Sequence, residues 1–132
     1  MSSRSWFPSV LLVAAALTAA PAFSHHSFAA VYQSEESISI EGKVVQFQYR
    51  NPHSVLHVLV TDGAGTEKRW AVEWQGASQL AAAGISPQTL RAGDIVIVTG
   101  HPGRIAAENR ILMVEIKRTT DDFAWKNAGS LN

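Results

Sequence analysis

Five short segments with strand-like patterning, interrupted once by a helical segment, constrain the fold of this chain most. In the first, Val45, Phe47 and Tyr49 alternate with two glutamines, as expected for a half-buried strand. Turn signals such as Asn51-Pro52 and Asp62-Gly63 separate the segments. The predicted strands cover residues 39–49, 54–61, 67–74, 95–99 and 111–117, and a short predicted helix covers residues 78–83.

This order of three strands, a helix and two strands is typical of the OB-fold, a five-stranded Greek-key barrel. A fragment of a β-sandwich is the alternative, but sandwiches usually have about seven strands. The chain has no cysteine, so its core must be held by packing and not by disulfides. We therefore predict an all-β, OB-fold-like barrel over residues 25–118, with Trp70 and Trp74 in its core, and a polar C-terminal tail over residues 119–132.

The first 24 residues resemble a secretory signal peptide. Arg4 is their only charge, and the apolar run of residues 10–20 is shorter than the about 20 residues that span a bilayer. Pro21 ends the run, and the small residues Ala22 and Ser24 fit the positions before a cleavage site. We expect cleavage after Ser24, with a cut after Ala22 or an uncleaved buried helix as alternatives. The mature protein is then periplasmic or secreted, without a stable membrane anchor.

The charge balance argues against one class of partner. Without Arg4, the mature chain has 10 basic and 11 acidic residues, a net charge of −1 before histidine is counted. Proteins that bind nucleic acid generally need a basic surface to neutralise phosphates. The composition therefore predicts one small domain that is not a general nucleic-acid binder.

The histidines carry the strongest functional signal. His53 lies in the predicted loop between strands 1 and 2, residues 49–53, and His101 lies in the predicted loop between strands 4 and 5, residues 100–110. OB-folds bind ligands with these two loops and with the face of strands 2 and 3. Two histidines are thus expected at the end of the barrel where such folds bind ligands.

The paired histidines His25 and His26 directly follow the predicted cleavage site. Cleavage after Ser24 would give His25 a free α-amine beside its ring, two nitrogen donors that titrate near 8 and near 6.5. With one more imidazole, three nitrogens can lie in a plane, the histidine-brace geometry that suits Cu(II). The sequence predicts a metal site, with copper as the first metal, formed by residues drawn from His25, His26, His53 and His101.

Each histidine also has an ordinary structural explanation, such as a solvated terminus, a capped turn or a surface hydrogen bond. For His57, on strand 2, we expect a surface position and a pairing with Glu73 on strand 3. Because no acid–base pair accompanies the histidines, storage, delivery or sensing of a metal is favoured over catalysis, with a copper redox enzyme as a further alternative. The alternative from another class is a metal-free module that binds a periplasmic protein, peptide or other ligand.

Several motifs resemble those of a known family. They are "HHSFAAVY" after the leader, "EGKVVQFQYRNPHS", "WAVEW", "LAAAGI" and "RAGDIVIVTGHPGR". They resemble a family of small exported bacterial proteins of unknown function over most of residues 25–117, although Ser24 stands where that family usually has Ala. The resemblance implies export and a small barrel, and it supplies no established activity.

Overall fold

The computed structural model describes residues 28–128. The predicted signal peptide and the predicted ligands His25 and His26 lie outside these residues. In the described part of the chain, no helix has the length and apolar character needed to cross a membrane. After a helical turn at residues 28–31, the elements are β1 (Ile38–Gln48), β2 (Val55–Thr61), β3 (Glu67–Glu73), α1 (Ala77–Ala82), β4 (Ile95–Pro102), a 3-10 helix (Ala106–Glu108), β5 (Arg110–Arg118) and β6 (Ala124–Lys126).

The strands form one sheet in the order β3-β2-β1-β4-β5-β6, and an additional pairing between β3 and β5 closes the first five strands into a barrel. The β3–β5 pairing is parallel, and the other neighbouring strands are antiparallel. The helix α1 lies between the third and fourth strands of the chain. This confirms the predicted small all-β barrel with the OB-fold order of elements.

Alternating residues of the strands fill the barrel. On β2, Leu56 and Val58 are fully buried, and their neighbours along the strand face outward or are only partly buried. Trp74 is 2% exposed and Trp70 packs against the core, as predicted. Burying each large apolar side chain stabilises the fold by about 1.5–3 kcal/mol. The helix and the loop after it complete the core with Leu80, Ile85 and Leu90.

Within the predicted polar C-terminal tail, residues 124–126 form a further strand. β6 pairs with β5, with Trp125 opposite Ile116. The Trp125 ring lies edge-on to Trp74, with 5.1 Å between ring centroids. β3 pairs with β5 only at residues 110–112, so the rest of this edge of β5 is open to another strand. β6 pairs there, with residues 115–117 of β5.

β4 is longer than the sequence pattern predicts, because it continues to Pro102. A β-bulge between Thr99 and Gly100 shifts the register with β5. At Gly100 a Cβ would collide with the carbonyl oxygen of Leu112, so this close approach requires glycine. The glycines and proline of this segment suggested a loop, whereas the structure places His101 on the strand and limits the loop to residues 103–109.

Candidate functional site

The loop between β1 and β2, residues 49–54, is called L12 and is held rigidly. Ser54 is fully buried, and its hydroxyl donates to the carbonyl oxygen of Arg50 at 3.1 Å. The side-chain oxygen of Asn51 accepts the backbone N–H of Ser78 at 3.2 Å. L12 is therefore fixed both internally and to the first turn of α1.

A close backbone approach at Gly76 also positions L12. A Cβ at Gly76 would collide with the carbonyl oxygen of Pro52, and the N–H of Ala77 donates to the carbonyl oxygen of Arg50 at 3.0 Å. Only glycine fits at this contact. The loop that carries His53 is thus pressed against the segment that joins β3 to α1.

The segment of residues 28–33 crosses the barrel end at the loop between β4 and β5. The N–H of Gln33 donates to the carbonyl oxygen of Pro102 at 2.9 Å, and the N–H of Arg104 donates to the carbonyl oxygen of Val31 at 2.8 Å. These bonds bring two aromatic side chains, Phe28 and Tyr32, next to L12.

A single carboxylate, Glu73 at the end of β3, joins the side chains that meet here. The Tyr32 hydroxyl donates to Glu73 Oε2 at 2.5 Å, and His53 Nδ1 lies 2.8 Å from Glu73 Oε1. Arg110 Nη2 lies 3.6 Å from Oε2. We call Tyr32, His53, Glu73 and Arg110 the Glu73 cluster. The Phe28 ring covers one side of it, 5.0 Å from the His53 ring between centroids.

The bond to Glu73 fixes which nitrogen of His53 is free. An ionised carboxylate only accepts hydrogen bonds, so Nδ1 carries the proton and Nε2 has no partner in the cluster. The His53 side chain is 38% exposed, whereas Glu73 is 15% exposed. Histidines that bind metals usually donate their other ring N–H to a carboxylate or carbonyl in this way.

Tyr32 acts as a donor throughout the neutral range. Burial raises the pKa of its hydroxyl well above the ordinary value, and the hydrogen bond to Glu73 raises it further. The Arg110 guanidinium lies over the Tyr32 ring, 5.6 Å from its centroid. The protonated hydroxyl and the guanidinium both hold Glu73 in place.

His101 is oriented in a similar manner by a different partner. Its Nδ1 lies 2.7 Å from the carbonyl oxygen of Glu36, so Nδ1 donates and Nε2 stays free. In the sheet, His101 is opposite Leu112, and Leu112 is opposite Glu73. The backbones of His101 and Glu73 are therefore two strands, about 10 Å, apart. Between residues 28 and 128, no group of three or more His, Asp or Glu side chains is placed to hold a metal ion.

His57 does not have the partner that the sequence suggested. Glu73 binds His53 instead, because L12 folds back over the end of β3. Partial burial lowers the pKa of His57, and the nearby charges of Arg69 and Arg50 lower it further. His57 therefore stays neutral on the outer face of the barrel at physiological pH.

A cleft of about 390 Å³ opens beside the cluster, and we call it the L12 cleft; it is lined by Arg50, Asn51, Pro52, His53, Val55, Glu73 and Arg110. Sequence reasoning placed His53 here but missed Tyr32 and Arg110. Tyr32 is 41 residues from Glu73 along the chain. The only signal for it was its place in the "HHSFAAVY" motif, and no spacing rule pointed to Arg110.

A comparison with known proteins gives a family without an assigned activity. No curated protein matches the sequence. A family model described as a family of unknown function, DUF6152, matches residues 12–111, from the apolar N-terminal run to the start of β5. Because the match covers most of the chain, this protein belongs to the DUF6152 family of unknown function.

Proposed function

We propose that this protein is an exported periplasmic binding protein that holds one Cu(II) ion at the L12 cleft. The α-amine and ring of His25 would supply two nitrogens, and His53 Nε2 would supply a third. His26 and His101 are further candidate ligands. The observation that carries the proposal is the bond from His53 Nδ1 to Glu73, which leaves Nε2 free and oriented.

Chain geometry supports the pairing of His25 with His53. Phe28, which contacts the His53 ring, follows His25 by three residues. An extended chain spans at most about 3.6 Å per residue, so the Cα atoms of His25 and Phe28 are within about 11 Å of each other. A mature N-terminus at His25 is therefore tethered next to His53.

The donor set favours copper over other metals. The chain contains no cysteine, so soft thiolate sites are excluded. An amine and two imidazoles match the tetragonal nitrogen coordination that Cu(II) prefers, and Cu(II) has the highest affinity in the divalent series. Binding for storage, delivery or sensing requires no further catalytic group.

One observation favours a second candidate function. Residues 28–128 alone hold no group of three metal ligands, so the metal site depends on residues that precede Phe28. If those residues are not ligands, the protein is a metal-free module whose L12 cleft binds a protein, a peptide or another ligand directly.

A free terminus at His25 is the feature to test. Copper titrations by calorimetry would compare the protein that starts at His25 with one that carries a single glycine before it. The extension converts the amine to an amide and removes a donor, so we expect copper affinity to fall about 100-fold or more. His57→Ala is the matched control and should bind copper as the parent does. Equal affinities for the two starts, or binding no tighter than that of a His-His peptide, would favour the metal-free module.

Export is tested separately. The intact mass of protein recovered from the periplasm should correspond to a chain that begins at His25. A chain that begins at Phe23 would contradict the proposed use of the terminal amine.

A further inference from the structure

We infer that the L12 cleft also binds a small oxyanion, a carboxylate or phosphate group, through the guanidinium groups of Arg50 and Arg110. This inference goes beyond the copper proposal and does not require a metal ion. It rests on two arginines that line one cleft and have side-chain N–H donors without hydrogen-bond partners.

Arg50 is an exposed residue of L12 whose backbone is fully used. Its N–H bonds to the Ser54 hydroxyl, and its carbonyl oxygen accepts bonds from Ser54 and Ala77. Its guanidinium, by contrast, makes no hydrogen bond or ion pair with the described part of the chain. The backbone of this cleft-lining residue is held firmly, while all five of its side-chain N–H donors are without partners among the described residues.

The guanidinium of Arg110 is held in one orientation, but its N–H donors are not fully paired within the protein. Its nearest carboxylate oxygens, on Glu73 and Glu108, are both 3.6 Å from its nitrogens, beyond an ordinary hydrogen bond. The contact with the Tyr32 ring holds the guanidinium in position. A ligand oxygen could therefore take up donors that the protein itself leaves free.

The charge on this face favours an anion. Among the described residues that line the cleft, only Glu73 carries a carboxylate, and it is already bound by Tyr32 and His53. The charge of Arg50 also reaches the neighbouring outer face of the barrel, where burial, then Arg69 and then Arg50 lower the pKa of His57.

Guanidinium groups recognise carboxylate and phosphate oxygens with paired N–H donors, which suits a planar or tetrahedral oxyanion. A cleft of about 390 Å³ is near the lower end of the range for small-molecule sites, so the ligand should be small. If the copper proposal holds, a bound oxyanion would also offset the charge of the metal beside two arginines. The two ligands would then bind with positive coupling.

The test uses the mature protein without metal, dialysed free of chelators because chelators carry competing carboxylates. The protein is titrated in Tris chloride with inorganic phosphate and, separately, with succinate, while NMR follows the backbone amide signals. We expect saturable shifts centred on L12, the end of β3 and the start of β5. The anion that binds more tightly identifies phosphate or carboxylate as the natural group.

Arg50→Gln and Arg110→Gln should each weaken binding about tenfold, because each removes charge-assisted hydrogen bonds. Arg91→Gln is the matched control: Arg91 is exposed, lies in the loop before β4, and should leave binding unchanged. Because Arg50 has no side-chain partner within the described residues, its replacement should not disturb folding. Shifts that do not saturate, or equal affinity in the parent and Arg50→Gln, would overturn the inference. Since no copper is present, that failure would not bear on the metal proposal.

Discussion

Two polar clusters of this barrel have opposite character. In one, Arg118 donates from Nε and Nη2 to the two oxygens of Asp121 at 2.9 and 2.7 Å, and from Nη1 to Asp94 at 2.9 Å and to the Thr89 carbonyl at 2.7 Å. We call Arg118, Asp94 and Asp121 the Arg118 cluster. In the Glu73 cluster one carboxylate accepts two hydrogen bonds and lies 3.6 Å from a nitrogen of Arg110, and a nitrogen of the His53 ring and the Arg110 guanidinium are left unsatisfied.

The difference separates a polar network that satisfies itself from one that keeps unpaired atoms, which is the feature that our binding proposals use. The Arg118 cluster joins the end of β5 to the loop before β4 and to the turn before β6. The hydrogen bonds to Asp121 and then to Asp94 raise the pKa of Arg118 above its ordinary value. Nearly all of its donors have partners within the protein. The Glu73 cluster orients His53 and Arg110 but leaves their outer nitrogen atoms without partners in the cluster. A polar network whose donors and acceptors are all paired stabilises the fold, whereas one with unpaired donors or acceptors can bind a ligand.

The largest effect should follow removal of the proposed copper ligand in the Glu73 cluster. His53→Ala should lower the copper affinity of the mature protein about 100-fold or more, because a direct ligand is lost and not only its support. Calorimetric titration measures the affinity, and circular dichroism of the metal-free variant checks its fold. An affinity that stays within a factor of two of the parent would remove His53 from the site.

A smaller loss is expected when only the support of His53 changes. Glu73→Gln preserves an acceptor for the His53 ring but removes the charge, so copper affinity should fall about tenfold. The same titration measures it, with Glu67→Gln, an exposed position at the start of β3, as the control. If Glu73→Gln matches the control, the carboxylate does not tune the metal site.

The Glu73 cluster should also make the protein sensitive to alkali. The folded pKa of Tyr32 is raised, so its stabilising effect is complete below the unfolded value of about 10 and is lost as the pH rises further. Each pH unit above 10 should lower the free energy of unfolding by up to about 1.4 kcal/mol. Urea unfolding at pH 9 and 11 should show a smaller loss in Tyr32→Phe than in the parent. Equal losses would show that Tyr32 is not the alkaline group.

The Arg118 cluster should affect stability and not binding. Arg118→Ala should lower the free energy of unfolding by about 1 kcal/mol, since solvent screens part of an interaction made by a side chain that is 18% exposed. Urea unfolding measures this loss. Copper affinity should stay at the parent value, because the cluster lies outside the L12 cleft. A copper affinity lowered tenfold would mean that the two clusters are coupled.

Local patterns predicted the fold because successive side chains of a strand point to opposite faces, so apolar and polar residues alternate with a period of two. The alternation around Phe47, the turn at Asp62-Gly63 and the helix after Trp74 were enough for a barrel with three strands, a helix and two strands, which the structure confirms. The sequence pattern did not predict the end of β4. Gly100 is tolerated there because of a bulge, and Pro102 because it is the last residue of the strand; the pairing with β5 defines both features.

The sequence by itself determined the type of barrel, the place of His53 in L12 and the nitrogen-donor chemistry of the histidines, since these depend on residue type and short-range order. Only the tertiary structure decided which side chains meet. Glu73 turned out to bind His53 and not His57, and Tyr32 and Arg110 join them from distant parts of the chain. The physical reason is that the closing pair of β3 and β5 and the docking of residues 28–33 set these contacts, and neither leaves a periodic signal in the sequence.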